Sequence, residues 1–213
     1  MMQSTMTSNI ITSIEQQKNS DERFSVFIDG EFAFGISFFD MYNLGLKVGD
    51  VISEERMREI EEVTDTEKCK RYAELLVSRK MYTKKELCDK MKLKGFSATA
   101  ISGTMSVLEE YGYINDRAYA EIFCREYSKK YGEHHIRYTL KQKGISAELI
   151  DEFCDGMDNR DTLTALIRKK LTSANPDRKE KDRIIRMFAA KGFSYDDIKS
   201  SLELLTEESD FFE

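Results

Sequence analysis

Between Ile10 and Gly35 the chain alternates. Apolar side chains recur at every second position along Arg23-Phe-Ser-Val-Phe-Ile28 and Glu31-Phe-Ala-Phe-Gly35, on either side of Asp29-Gly30. A period of two marks a strand with one buried face. Asp-Gly between two such runs predicts a hairpin, because a type I′ turn needs positive φ at both central residues. Residues 10 to 52 as a whole read as β structure: Ile10 to Gln16 supplies a further strand, and Gly45 to Ile52 a turn followed by a short final strand. So few strands are marginally stable alone and must pack on something. After Glu54 an acidic helix is expected to about Val63.

From Thr66 onward the period becomes helical, and the pattern repeats. Lys94-Gly95-Phe96-Ser97 returns as Lys143-Gly144-Ile145-Ser146 and as Lys191-Gly192-Phe193-Ser194, with the glycines 49 and 48 residues apart. Eight residues before each glycine stand Leu87, Ile136 and Ile184, and four before it Met91, Leu140 and Phe188. Six after it stand Ile101, Ile150 and Ile198, and ten after it Met105, Cys154 and Leu202. Offsets of four on both sides define the apolar face of one helix before each glycine and of another after it.

The residues at the junctions agree. Glycine suits the left-handed position that ends a helix, and the preceding lysine faces that helix's negative end. The serine two residues later can cap the next helix. A further helix precedes each pair, over Thr66–Lys80, Arg117–Tyr131 and Asp161–Leu171. Thr83-Lys-Lys-Glu86 is a capping-box pattern, and Asn175-Pro176 is expected to cap and open the corresponding helix of the third unit. The predicted fold class is therefore mainly α: three tandem three-helix repeats in an elongated curved stack, preceded by a small antiparallel β extension. The expected boundaries are 1–64 for the β extension and acidic helix, 65–114, 115–158 and 159–206 for the repeats, and 207–213 for an acidic tail.

Composition narrows the class. One Pro and 11 Gly among 213 residues favour long helices, and 13 Phe with 10 Tyr supply an aromatic core without Trp. The first residues lack a basic stretch followed by an apolar one, so no secretory signal is expected. No apolar run approaches the roughly 20 residues needed to span a bilayer. Cys69, Cys88, Cys124 and Cys154 lie at wide, irregular spacings and read as reduced, mostly buried thiols of a cytoplasmic protein.

Catalytic chemistry has no foothold. His134 and His135 are adjacent and would point about 100° apart on a helix, unlike the i, i+4 pair that holds a metal. No Gly-rich phosphate loop and no nucleophile elbow occur. The acidic runs Glu54–Glu62 and Asp151–Asp161 fit solvated helix faces. No catalytic group, metal or cofactor is expected.

Charge is the informative quantity. The formal total is −6 and the pI near 5.3, which argues against indiscriminate coating of nucleic acid. Its distribution is uneven. Residues 1–65 hold 5 basic and 13 acidic residues, net −8; residues 66–145 hold 17 and 10, net +7; residues 146–213 hold 11 and 16, net −5. Arg79, Lys80, Lys84 and Lys85 gather at the first helix junction, then Arg125, Lys129 and Lys130, then Arg137, Lys141 and Lys143. The third unit adds Arg168, Lys169 and Lys170 with Arg183 and Arg186. Equivalent positions in stacked repeats fall on equivalent faces, so these residues form either a cationic strip or the ordinary exposed charge of amphipathic helices.

Thr83-Lys-Lys-Glu-Leu87, Tyr113-Ile-Asn-Asp-Arg-Ala-Tyr-Ala120, and Gly132 with Ile136, Leu140 and Lys143-Gly144-Ile145 are together similar to motifs of the RecX family of bacterial recombination regulators. Val26 to Gly35 resembles the β extension of its longer members. The resemblance implies a non-enzymatic modulator of the RecA recombinase. Such a protein binds RecA and its nucleoprotein filament, with single-stranded DNA as a further partner, and limits filament growth, recombination and the SOS response. It would act as a monomer away from membranes, its basic strip meeting DNA phosphates or acidic RecA patches. A winged-helix-like DNA-binding regulator and a helical-repeat interaction scaffold stay open beside it.

Overall fold

Asp29 and Gly30 adopt φ of 52° and 86°, as a type I′ turn requires. A computed structural model describes residues 9–18, 20–173 and 175–210 of the chain. Around that turn β1 (Ile11–Gln16), β2 (Arg23–Ile28) and β3 (Glu31–Ser37) form an antiparallel sheet in the order β1-β2-β3. Val26 pairs with Ile14 on one side and Phe34 on the other, so alternate side chains share a face. The expected final strand is only a single bridge between Ile10 and Val51.

Ten helices follow among the described residues: α1 (Phe38–Asn43), α2 (Glu54–Val77), α3 (Lys84–Lys94), α4 (Ala98–Glu110), α5 (Asp116–Tyr127), α6 (Glu133–Gln142), α7 (Ala147–Cys154), α8 (Arg160–Arg168), α9 (Arg178–Ala189) and α10 (Tyr195–Asp210). Two compact units result, one of residues to Arg79 with Cys88–Glu110, the other of Lys80–Leu87 with Tyr111 onward. Residues 1–8 and 211–213, which carry the reading of the extreme amino terminus and the end of the acidic tail, lie outside the described residues; 207–210 continue α10.

In the first unit Ile11, Val26 and Ile36 of the sheet bury against Leu46, Ile52 and Ile60, the last contributed by α2. Here two expectations need correction. The acidic helix and the helix from Thr66 are one continuous α2 of 24 residues. Thr64-Asp65-Thr66 resembles a break, but the hydroxyls of Thr64 and Thr66 donate back to the carbonyls of Glu61 (3.1 Å) and Glu62 (2.8 Å) and leave the helix intact. Residues 38–43, read within a β region, form α1, capped by Ser37, whose Oγ accepts the Asp40 N–H at 3.0 Å. α4 packs on α2. There the Ser97 N–H donates to the Asp65 carboxylate at 2.9 Å, and the Tyr72 and Phe96 rings meet at 5.7 Å.

The periodic anchors are core residues. All twelve apolar positions aligned on the three glycines are buried. In the second unit they build two cores, one around Phe123, Ile136, Leu140 and Ile150, the other around Leu163, Ile184, Phe188 and Ile198. Gly95, Gly144 and Gly192 have φ of 92°, 82° and 83°, and Ser97, Ser146 and Ser194 each accept an N–H three residues on. Thr83 and Glu86 close the expected capping box, Oγ1 accepting the Glu86 N–H at 3.1 Å and the Glu86 carboxylate accepting the Thr83 N–H at 3.2 Å. Asn175-Pro176 does not open α9. Asp177 does, its carboxylate accepting the Glu180 N–H at 2.7 Å, because Pro176 lies buried two residues too early.

Within the second unit one joint occurs twice. The N-terminus of α6 sits on the C-terminal turn of α9: the Gly132 N–H donates to the Lys191 carbonyl at 3.0 Å and the His134 N–H to the Gly192 carbonyl at 3.2 Å. The N-terminus of α3 sits on the C-terminal turn of α6: the Thr83 hydroxyl donates to the Lys143 carbonyl at 2.7 Å. Thr83 and Gly132 are equivalent, each twelve residues before its own repeat's glycine. A Cβ on Gly192 would lie 2.3 Å from the His135 backbone nitrogen, and one on Gly144 2.5 Å from Lys85 Cβ, whereas one on Gly95 would meet nothing within 4 Å.

All three glycines share a left-handed backbone, so alanine costs each about 1–2 kcal/mol. Thermal denaturation should therefore show Gly95→Ala as the mildest. Gly144→Ala should lose roughly 1–3 kcal/mol more from overpacking, and Gly192→Ala, which meets backbone rather than side chain, the most.

Candidate nucleic-acid interface

The predicted cations separate into two groups once their surroundings are known. Arg79 is exposed beyond the end of α2 and belongs to the first unit; the rest belong to the second. Lys80, Lys84, Lys85, Arg125, Lys129, Lys130, Lys141, Lys169, Lys170, Arg183 and Arg186 are exposed, with Arg168 beside them. Arg137 and Lys143 are half-buried, with side chains 26% and 25% accessible.

Arg137 is the centre of an ion cluster that ties α6 to α7. Its Nε donates to Glu133 and its Nη1 to Asp151, both at 2.6 Å, and its Nη2 donates to Asp155. These hydrogen bonds, Glu133's foremost, hold the guanidinium even more firmly charged than arginine usually is. The fork geometry of arginine is spent entirely inside its own repeat.

Lys143 has the same fate at the α3–α6 joint. Its ammonium donates to Glu86 and lies 5.5 Å from the centre of the Tyr119 ring. Burial pulls the Glu86 carboxyl upward, but hydrogen bonds from Lys143 and from the Thr83 N–H, with the charges of Lys143 and Lys80, outweigh it and hold the pKa below its ordinary 4.5. The joint thus brings Lys80 and Lys143 together around one carboxylate. The equivalent lysine of the third repeat, Lys191, lies 5.3 Å from the Phe188 ring.

The remaining cations are less committed. Arg125 and Lys129 flank Glu126 at 3.5 and 2.8 Å, with all three side chains more than half accessible. Such exposed pairs contribute little and exchange readily for other anions. Lys80 lies 4.5 Å from the Tyr82 ring. Arg183 donates to the Lys170 carbonyl at 3.0 Å, closing the end of α8, and Arg186 donates to the Asp182 carbonyl at 3.2 Å.

Aromatic rings accompany the cations of the second repeat. Tyr119, Phe123, Tyr127, Tyr131 and His135, four residues apart, stack in sequence with centroids 6.0, 3.8, 5.7 and 4.3 Å apart. The stack runs from α5 into the α6–α9 joint, so His135 is a packing residue there, while His134 is exposed. Charge counting alone overlooks this ladder, although its i, i+4 spacing is plain in the sequence. Tyr138, on the outer face of α6 between His134 and Lys141, is exposed as well.

Among the described residues no three His, Cys, Asp or Glu side chains converge as metal ligands. Cys69, Cys124 and Cys154 are buried and Cys88 half-buried, all as free thiols. Cys124 and Cys154 lie 3.7 Å apart, and hydrogen bonding to Cys124 together with burial pushes the Cys154 thiol far above its usual pKa. No described helix is long and apolar enough to cross a membrane.

The fold and this surface define a helical-repeat protein with a β extension, built to present charge. Three family models match the chain: the regulatory protein RecX N-terminal domain over residues 9–53, the RecX second three-helix domain over 115–152 and the RecX third three-helix domain over 158–202. The regulatory protein RecX of Clostridium botulinum is 33% identical over 89% of this chain and 92% of its own length. That of Caldanaerobacter subterraneus is 32% identical over 92% and 99%. A crystal structure of a regulatory protein RecX superposes with a TM-score of 0.68 at 22% identity, covering 91% of this chain and 98% of that one. The crystal structure of RecX from Lactobacillus salivarius gives 0.59 at 26%, covering 67% and 97%. The chain belongs to the RecX family of regulatory proteins.

The Glu86–Lys143 pair yields a pH test. A carboxylate with a depressed pKa stabilises the fold above its ordinary value, and that stability is lost as pH falls through the folded value. The stability advantage of the wild type over Glu86→Gln should be full well above the ordinary 4.5 and shrink as pH falls below it. Urea unfolding of both proteins across that range checks it.

Proposed function

We propose that this protein binds RecA and its filament on single-stranded DNA and restrains recombinase activity without catalysing a reaction of its own. Membership of the RecX family supports the regulatory part of this reading. The observation that carries the rest is the exposed cation set of the second unit, Lys129, Lys130, Lys141, Lys169 and Lys170, on repeats joined through backbone hydrogen bonds. Cations held on a joined scaffold neutralise phosphates without the full cost of ordering that surface. The weak exposed pairs at Glu126 can be given up for a phosphate, whereas Arg137 and Lys143 cannot leave their partners cheaply. The uneven charge also orients docking, since acidic stretches oppose phosphate wherever cations do not meet it. Action in the cytoplasm, as a monomer, follows from the same reading.

The decisive measurement is RecA ATPase on single-stranded DNA with substoichiometric amounts of this protein. The rate and filament length should fall. A rate unchanged at equimolar protein is incompatible with the proposal.

The cation set has its own test. Replacing Arg125, Lys129 and Lys141 with glutamate should weaken inhibition by at least about tenfold and flatten its salt dependence. Arg137→Leu should instead lose about 1 kcal/mol of stability, because the ion cluster between α6 and α7 is removed while its carboxylates return to water, with inhibition by the folded fraction unchanged. Equal inhibition by the triple variant and the wild type would remove the cations from the interface.

A further inference from the structure

We propose that α1 and the adjoining face of α2, in the first unit, form a separate interaction surface that takes a cationic segment of a protein partner. α1 is six residues long and buries none of them. Phe38, Phe39 and Tyr42 are 56%, 70% and 75% accessible. Phe38 and Tyr42, one turn apart, form an exposed apolar patch, and Phe39 turns about 100° away toward the groove beside it; aromatics this exposed are kept where something binds. The patch is ordered: the Phe38 and Tyr42 rings stack at 6.5 Å, and Phe38 leans on Phe24 of β2 at 6.1 Å.

Beside the patch runs an open groove of about 490 Å³, lined by Phe39, Asp40, Glu62, Val63, Glu67 and Lys70 among others. Asp40 and Glu62 thus face one ammonium there, while the Glu67 carboxylate is already met by Arg23 and, at 3.8 Å, by Arg71. Glu67 is paired through Oε1 with Arg23 beneath it, while its Oε2 is buried without a hydrogen-bond partner among the described residues. The segment from residue 1 to 65 carries net −8, so the long-range field agrees with the groove.

This chemistry selects one class of occupant. Aromatic faces attract arginine and lysine, whose aliphatic stems also bury on apolar surface, and the carboxylates then receive the charged heads. Nucleic acid is disfavoured, because its phosphates would meet carboxylates. The occupant is therefore a stretch of protein with Arg or Lys set among apolar residues. Resting on the function proposed above, that protein is RecA, and the labour divides: exposed cations of the second unit serve the nucleic acid, and this surface serves the recombinase itself.

The test measures affinity of the full-length protein for RecA without DNA, and separately for fluorescent single-stranded DNA. Two variants are used, Phe38→Ser with Phe39→Ser and Tyr42→Ser, and Glu62→Lys alone. All four positions are exposed, and a far-ultraviolet dichroism spectrum with an unchanged melting temperature confirms folding. Both variants should bind RecA at least about tenfold more weakly and bind DNA as the wild type does. Wild-type affinity for RecA in both variants would overturn this inference alone. Absence of RecA binding by the wild type would overturn the functional reading and this inference with it. Loss of DNA binding in the variants would assign the surface to DNA and also overturn the inference.

Discussion

The second unit depends on what happens where two helices meet end to end. Every helix leaves its first N–H groups and last carbonyls without intrahelical partners. In the second unit the leftover donors of α6 find the leftover carbonyls of α9, and the Thr83 hydroxyl at the head of α3 finds that of α6. The ends also carry opposite partial charge, so each joint sets the positive end of one helix dipole on the negative end of the next. Elements that close this tightly leave no room for a side chain: a Cβ at 192 would meet the His135 backbone and one at 144 the Lys85 side chain, and glycine at both is the consequence. Gly132 obeys the same constraint from the other side, since a Cβ there would lie 2.2 Å from the Gly192 oxygen. It consequently caps α6 with no side chain at all, the cap being supplied by the neighbouring repeat. α9 is capped by its own Asp177.

The twofold recurrence of the joint accounts for residues that otherwise look unrelated. A three-helix unit of this size buries too little apolar surface to be stable by itself. Each repeat has its own small core, and the joint adds polar satisfaction and close backbone approach between them. Thr83 does at its joint what Gly132 does at the other by different chemistry, accepting from Glu86 within its helix while donating across it. The lysine before each joint glycine lies against an aromatic ring of its own repeat, and at the α3–α6 joint its ammonium also reaches Glu86 across the seam.

Much of this was legible in the sequence, for a definite reason. A repeat compared with itself exposes its core positions, so the twelve anchors, the left-handed glycines and the serine caps could be read from spacing. What could not be read were features set by tertiary partners. Thr64-Asp65-Thr66 carries cap-type residues, and only the direction of its hydroxyls tells a continuous helix from a break. α1 was hidden among alternating apolar residues, although Ser37 followed three residues later by Asp40 was a usable cap signal. Among the cations, sequence counts Arg137 and Lys143 equal to Lys129 and Lys141, because it does not show which have carboxylates within reach. The same blindness applied to Phe38 and Phe39, whose place within the β-like stretch gave no sign that both would stand exposed.

That distinction between committed and exposed charge governs what the surface can do. An arginine with three carboxylate partners offers nothing to a phosphate, since any new contact must first break bonds of equal strength. A lysine whose single partner is solvent-exposed loses almost nothing on switching. A regulator acting on a charged filament needs both kinds: committed pairs such as Arg137 to hold neighbouring helices in register, and exchangeable ones to respond to the ligand. The +7 of the middle segment is therefore not one quantity. Part of it builds the repeat, and only the remainder is available to a partner, so salt should act on recognition at concentrations that leave the fold untouched.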